Sequence, residues 1–188
     1  MKRAVILHGT DGTPEENWFP WLKSKLEAEG YQVWVPQLPE AHTPNRELWD
    51  DRILGSRDMA DTIMVGHSSG AVEVLNLLMN PRCPHIRLGV MVGAWAGGPP
   101  KAPTGFTWEP GQFDKLFPPD GFDFAAIKAR ADKLAFLHGD NDPFCPLEQA
   151  KQLAKQLDAP LTIVHRGHHL GSKFTELPKL WEIIKPSL

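Results

Sequence analysis

Cysteine is nearly absent: the 188-residue chain holds two, Cys83 and Cys145, far apart and each beside a proline. That excludes a disulfide framework and offers no metal-ligand spacing. Cys145 is expected as a small buried residue. Neither sign of charge is in excess. The net charge is −3 and the isoelectric point about 6.2, so there is no basic footprint, and neither nucleic acid nor a membrane is expected as a partner. No apolar stretch approaches the length that spans a bilayer. Met1-Lys2-Arg3 carries charges like those of a signal peptide, but the following run Ala4-Val5-Ile6-Leu7 is too short for one and reads as a strand. Internal repeats and dividing linkers are missing as well. The expectation is one cytoplasmic domain over residues 1–188, with 41% hydrophobic content supplying a substantial core.

What is present alternates. Short β-type runs are separated by helical patterns, the signature of a parallel sheet covered on both faces. Strands are expected over residues 4–7, 31–35, 63–65, 86–92, 134–137 and 161–164. Helical faces follow: Trp18, Trp21, Leu22 and Leu26; Leu48, Trp49, Ile53 and Leu54; 124–131; Leu147, Ala150, Leu153 and Leu157; and finally Phe174, Leu177, Trp181 and Ile184. The fold class is α/β, a three-layer α/β/α sandwich with a parallel sheet of about six strands. From Gly93 to Gly121 the texture changes to Gly- and Pro-rich sequence carrying Trp95, Phe106, Trp108, Phe113 and Phe117. So long a connection reads either as a lid or pocket loop at 93–121 or as an ordered surface loop whose aromatics cover the core. Trp95 and Trp108 are the expected substrate-pocket residues.

The chemistry concentrates in Gly66-His67-Ser68-Ser69-Gly70, which follows Ile63-Met64-Val65 and precedes the apolar run 71–78. Strand, tight turn and helix with serine at the apex is the G-x-S-x-G nucleophile elbow, where only glycine fits on either side. A glycine-rich turn between core elements is the plain alternative. Loops after parallel strands share one sheet edge. There Ser68 is followed by Asp142 after 74 residues and His168 after a further 26, the chain order Ser…Asp…His. A serine hydroxyl needs a neutral imidazole to take its proton, and the imidazole needs a carboxylate to hold its tautomer. Asp140 competes with Asp142, which as a turn former would have only a structural role. His165 and His169 compete with His168, which Gly167 favours by forming a turn. The loop His8-Gly9-Thr10 is expected to complete an oxyanion hole from the backbone amides of Thr10 and Ser69.

His8-Gly9, the Trp18–Trp21 helix, Gly66-His67-Ser68-Ser69-Gly70-Ala71, Asp140-Asn141-Asp142-Pro143-Phe144 and Gly167-His168 together resemble one family. It is the small serine hydrolases of retinoblastoma-binding protein nine and its bacterial relatives, in the α/β-hydrolase superfamily. The resemblance runs over nearly the whole chain. It implies Ser68 as nucleophile, Asp142 as acid and His168 as base. It also implies a reduced hydrolase sheet without the early antiparallel strands, in the order 2-1-3-4-5-6. Neither cysteine lies in a Leu-x-Cys-x-Glu motif, so binding to a retinoblastoma-type pocket protein does not carry over.

The function expected is hydrolysis of carboxylic esters, thioesters or small amides through an acyl-enzyme, on a small-molecule acyl substrate and without a cofactor. A second class is a catalytically weak binding or signalling module on the hydrolase fold. A third is a metal-dependent hydrolase built from His8, His138, His168, Asp140 and Asp142, which no H-E-x-x-H or H-x-x-E-H signature supports.

Overall fold

The computed structural model describes residues 2–105 and 107–188; Phe106, one of the aromatics of the long connection, lies outside them. Six parallel strands form one sheet: β1 (Arg3–Leu7), β2 (Gln32–Trp34), β3 (Thr62–His67), β4 (Ile86–Val92), β5 (Ala131–Gly139) and β6 (Leu161–Val164). Their spatial order is β2-β1-β3-β4-β5-β6. The order reverses between β1 and β3, so the loops that leave these two strands open a crevice at their carboxyl ends. The observed strands match the expected runs, with β3 and β5 each extended at both ends.

Strand alternation divides the core into two layers. Val5, Leu7, Met64, Met91 and Phe136 face one side, where they meet α2 (Arg46–Leu54), α3 (Ser69–Met79), α4 (Phe124–Ala129) and α5 (Leu147–Gln156). Ala4, Ile6, Ile63, Val65 and Leu137 face the other, against α1 (Phe19–Ala28) and α6 (Pro178–Ile184). Period-2 burial on both faces is why these strands read as continuous apolar runs. Among the described residues no helix is long and apolar enough to cross a membrane.

Helix α3 is the central element, with every residue from Ser69 to Leu78 buried. It is pressed onto β3 and flanked by α2 and α4. One of its buried residues is Glu73, 0% exposed, which accepts from Asn76 Nδ2 at 3.1 Å and faces Asp50 of α2. Burial first, and the Asp50 charge second, hold the Glu73 carboxyl well above the usual range. Burial likewise raises Asp50, while a hydrogen bond from Asn80 works against that rise. Burial beside Asp50 therefore favours the protonated form of Glu73.

Unfolded, Glu73 releases its proton near its ordinary value of 4.5, whereas folded it keeps it. Stability is therefore lost progressively as pH rises above that value. Glu73→Gln, which has no proton to lose, is expected to be more stable than wild type at neutral pH and equal to it near pH 4. Urea unfolding across pH checks this, and a difference independent of pH would show that Glu73 titrates normally.

Candidate active site

Strand β3 runs directly into Ser68, whose φ of 56° and ψ of −123° lie outside the regions open to most side chains. The Ser68 amide donates to Val92 O at 2.8 Å, which pins the turn to β4. A Cβ on Gly66 would overlap the carbonyl oxygen of Gly70. One on Gly70 would overlap the carbonyl oxygens of Leu7 and His8. The two glycines of the elbow are thus required by close backbone approach, and the strain at Ser68 holds its hydroxyl clear of the sheet.

The loop after β1 lies against this turn. A Cβ on Gly9 would come within 2.7 Å of Ser68 Cβ, and the hydroxyls of Thr10 and Ser69 share a hydrogen bond of 2.6 Å. Ser69 opens α3, so its amide has no acceptor within the helix. His8 braces the loop from inside. Its Nε2 accepts from the Leu38 amide at 2.9 Å, so Nδ1 carries the proton and donates to Gly9 O at 2.8 Å. Burial lowers the His8 pKa and keeps the ring neutral.

The acid is buried. The Asp142 side chain is 1% exposed, its Oδ1 accepting from the amides of Phe144 and Cys145 at 2.9 Å each. Oδ2 accepts from Nδ1–H of His169 at 2.7 Å. Burial pushes this carboxyl up, but the His169 bond, the His169 charge and the two amides outweigh it and hold the pKa below the usual range. His138, also buried, donates from Nε2 to Cys145 O at 2.9 Å and lies 3.7 Å from Asp142 Oδ2. Asp140 is elsewhere: it accepts from His165 Nδ1–H at 2.7 Å and from the Arg166 amide at 2.8 Å, on the surface.

The geometry pairs Asp142 with His169 and not with His168, the histidine expected as base. His168 is partly exposed and does not reach Asp142. Its amide donates to Asn141 Oδ1 at 2.8 Å, and its ring accepts from Asn141 Nδ2 at 3.4 Å. Left-handed backbone at Arg166, His168 and Leu170 (φ 51°, 47° and 52°) coils the loop tightly after β6. That coil turns His168 away from Asp142 and His169 inward. Two adjacent histidines cannot be separated by counting when three residues of the turn have inverted φ.

His169 is clamped from both sides. The His67 ring lies 4.9 Å from it and the Phe144 ring 5.1 Å, centroid to centroid. His67 Nε2–H donates to the His169 carbonyl at 2.8 Å. Burial, with the His169 charge second, drives the His67 pKa down to about 3. His67 is therefore a neutral strut in the middle of the elbow, a role the motif does not announce.

A cavity of about 160 Å³ joins Ser68, Thr10 and His169 to Trp108, Phe113 and Phe144. A second, of about 260 Å³, lies on the far side of His169 toward Asn17, Lys173 and Phe174. Of the two tryptophans expected in the pocket, Trp108 lines this cavity and Trp95 does not. Trp95 is 1% exposed, donates from Nε1 to Gly98 O at 2.8 Å and packs edge-on against Phe113 and Phe117. It supports the wall of the cavity from behind. Trp95→Ala is expected to cost about 3–5 kcal/mol of stability in urea unfolding. Trp108→Ala should instead change the ratio of kcat/KM between small and bulky acyl esters, with little change in stability.

The Serine hydrolase family profile matches residues 4–185. This chain belongs to that family. YdeN of Bacillus subtilis (strain 168) is 30% identical over 190 residues, covering 97% of this chain and 94% of its own. Serine hydrolase RBBP9 of Rattus norvegicus is 26% identical over 183 residues, with 93% and 91% covered. The crystal structure of the Bacillus subtilis ydeN gene product superposes with a TM-score of 0.82 at 27% identity, over 100% of this chain and 98% of that one. Est1E of Butyrivibrio proteoclasticus, solved with ferulic acid, shares the fold at a TM-score of 0.73 and 16% identity, over 100% and 89% of the two chains.

Proposed function

We propose that this serine hydrolase cleaves carboxylic esters, thioesters or small amides through an acyl-enzyme on Ser68, with His169 as base and Asp142 as the acid that orients it. The observation that carries the reading is the 2.7 Å bond between His169 and the buried side chain of Asp142, with a strained serine lining the same cavity as His169.

Asp142 holds the Nδ1–H tautomer of His169, which leaves Nε2 free to accept the Ser68 proton as Oγ attacks the substrate carbonyl. The oxyanion that forms is met by the amides of Thr10 and Ser69, whose loops the hydroxyl pair ties together. His169 then gives the proton to the leaving group. A water, deprotonated by the same imidazole, attacks the acyl-enzyme and releases the acid. The cavity between Trp108, Phe113 and Phe144 takes the acyl group; its size and aromatic walls favour a compact or flat one. The cavity beyond His169 takes the leaving group.

Labelling with a fluorophosphonate tests the assignment. Mass spectrometry is expected to place one adduct on Ser68. An adduct on Ser69, or an unmodified protein where a known serine esterase reacts fully, would overturn it.

A further inference from the structure

Cys145 is a buried thiol that the hydrolytic steps do not use, and it adjoins the residues that do. Its amide holds Asp142 Oδ1 at 2.9 Å, and its side chain is fully buried. Cys145 Sγ, a carboxylate oxygen of Asp142 and a ring nitrogen of His169 all lie within 4.8 Å of one another. Nδ1 is the nitrogen that faces Asp142. Carboxylate, thiolate and imidazole are the donor set that zinc and its softer congener cadmium prefer, whereas magnesium and calcium want oxygen alone.

The geometry points to an inhibitory site for a soft divalent cation, zinc or cadmium, formed by Asp142, Cys145 and His169 at the back of the catalytic histidine. The inference rests on the hydrolase reading for its consequence, not for the site itself. A tetrahedral ion with bonds of about 2.0–2.3 Å sets its donors roughly 3.3–3.7 Å apart. His169 Nδ1 therefore draws back from Asp142 Oδ2 as Cys145 Sγ closes in. The thiol gives its proton to solvent. The His169 proton moves from Nδ1 to Nε2, so the imidazole stays neutral and one proton is released per ion. Nε2 then points a donor at Ser68 where a base is needed, and turnover stops. The ion acts by imposing the wrong tautomer.

The test uses the full chain and two readouts: the rate of fluorophosphonate labelling, and the ultraviolet charge-transfer band of a cadmium–thiolate bond. Zinc and cadmium are expected to slow labelling, EDTA to restore it, and magnesium to do nothing. Cys145→Ala should label normally without metal, lose the band, and need at least about tenfold more cation for the same inhibition. Cys83→Ala, which alters a remote buried thiol, should retain both responses. Should the alanine variant fold poorly, Cys145→Ser fills the same space and is expected to lose the cadmium band. Inhibition of Cys145→Ala as strong as that of wild type, or a wild type with no band, would overturn the site. A wild type that never labels would defeat the hydrolase reading instead, and the band alone would then decide the site.

Discussion

His169→Ala is expected to lower kcat on an activated ester by about a millionfold, the scale on which removing the base disables a serine hydrolase. His168→Ala is expected to keep most of the activity. Both residues are histidines on one turn, so composition, charge and local propensity are matched between the two variants. What separates them is that His169 donates to Asp142 at 2.7 Å and lines the Ser68 cavity, while His168 accepts from Asn141 at 3.4 Å. Circular dichroism and urea unfolding establish that both variants are folded. Steady-state kinetics on the same ester then ranks them. A larger loss in His168→Ala would restore that residue as the base.

Asp142→Asn is expected to reduce kcat by about 10⁴-fold, with Asp140→Asn close to wild type. The asparagine keeps an oxygen for the amides of Phe144 and Cys145, so the turn survives. Its amide nitrogen, however, presents a donor to His169 Nδ1 and stabilises the tautomer that cannot take the Ser68 proton. It also removes the charge that supports the imidazolium. Asp140 ties His165 and Arg166 together on the surface, where an exposed pair contributes little. Kinetics on one substrate, with both variants shown to be folded, distinguishes them, and the reverse ranking would transfer the acid to Asp140.

The difference between Trp95 and Trp108 shows where a sequence argument about the long connection stops. Both are tryptophans in a Gly- and Pro-rich stretch that follows β4, and no periodicity exists there to say which way either side chain points. The chain folds back so that Trp95 is covered by Phe113 and Phe117, leaving Trp108 and Phe113 at the cavity. Phe144 joins them from the turn after β5, brought there because the amide following Pro143 is held by Asp142. The contacts that cover Trp95 join residues 18 and 22 positions apart.

The sequence by itself determined the six strands, their parallel arrangement and the elbow at Ser68. Each of these is written in periodicity or in a short motif: alternation buried on two faces, helical spacing, and glycines where backbones touch. It also carried the chain to one sheet edge, because loops after parallel strands must emerge together. The tertiary structure alone decided which of two neighbouring histidines faces Asp142, which tryptophan lines the cavity, and that Cys145 lies against Asp142 and His169. The choice between the histidines turns on the sense of a few inverted backbone dihedrals and on contacts between residues 27 or more positions apart. Backbone inversion at Arg166, His168 and Leu170 has no side-chain signature, since none of the three is glycine. It is held in place by hydrogen bonds with His67 at the end of β3, with Trp18, and with Asp140 and Asn141 in the turn after β5, which come together only once the sheet has formed.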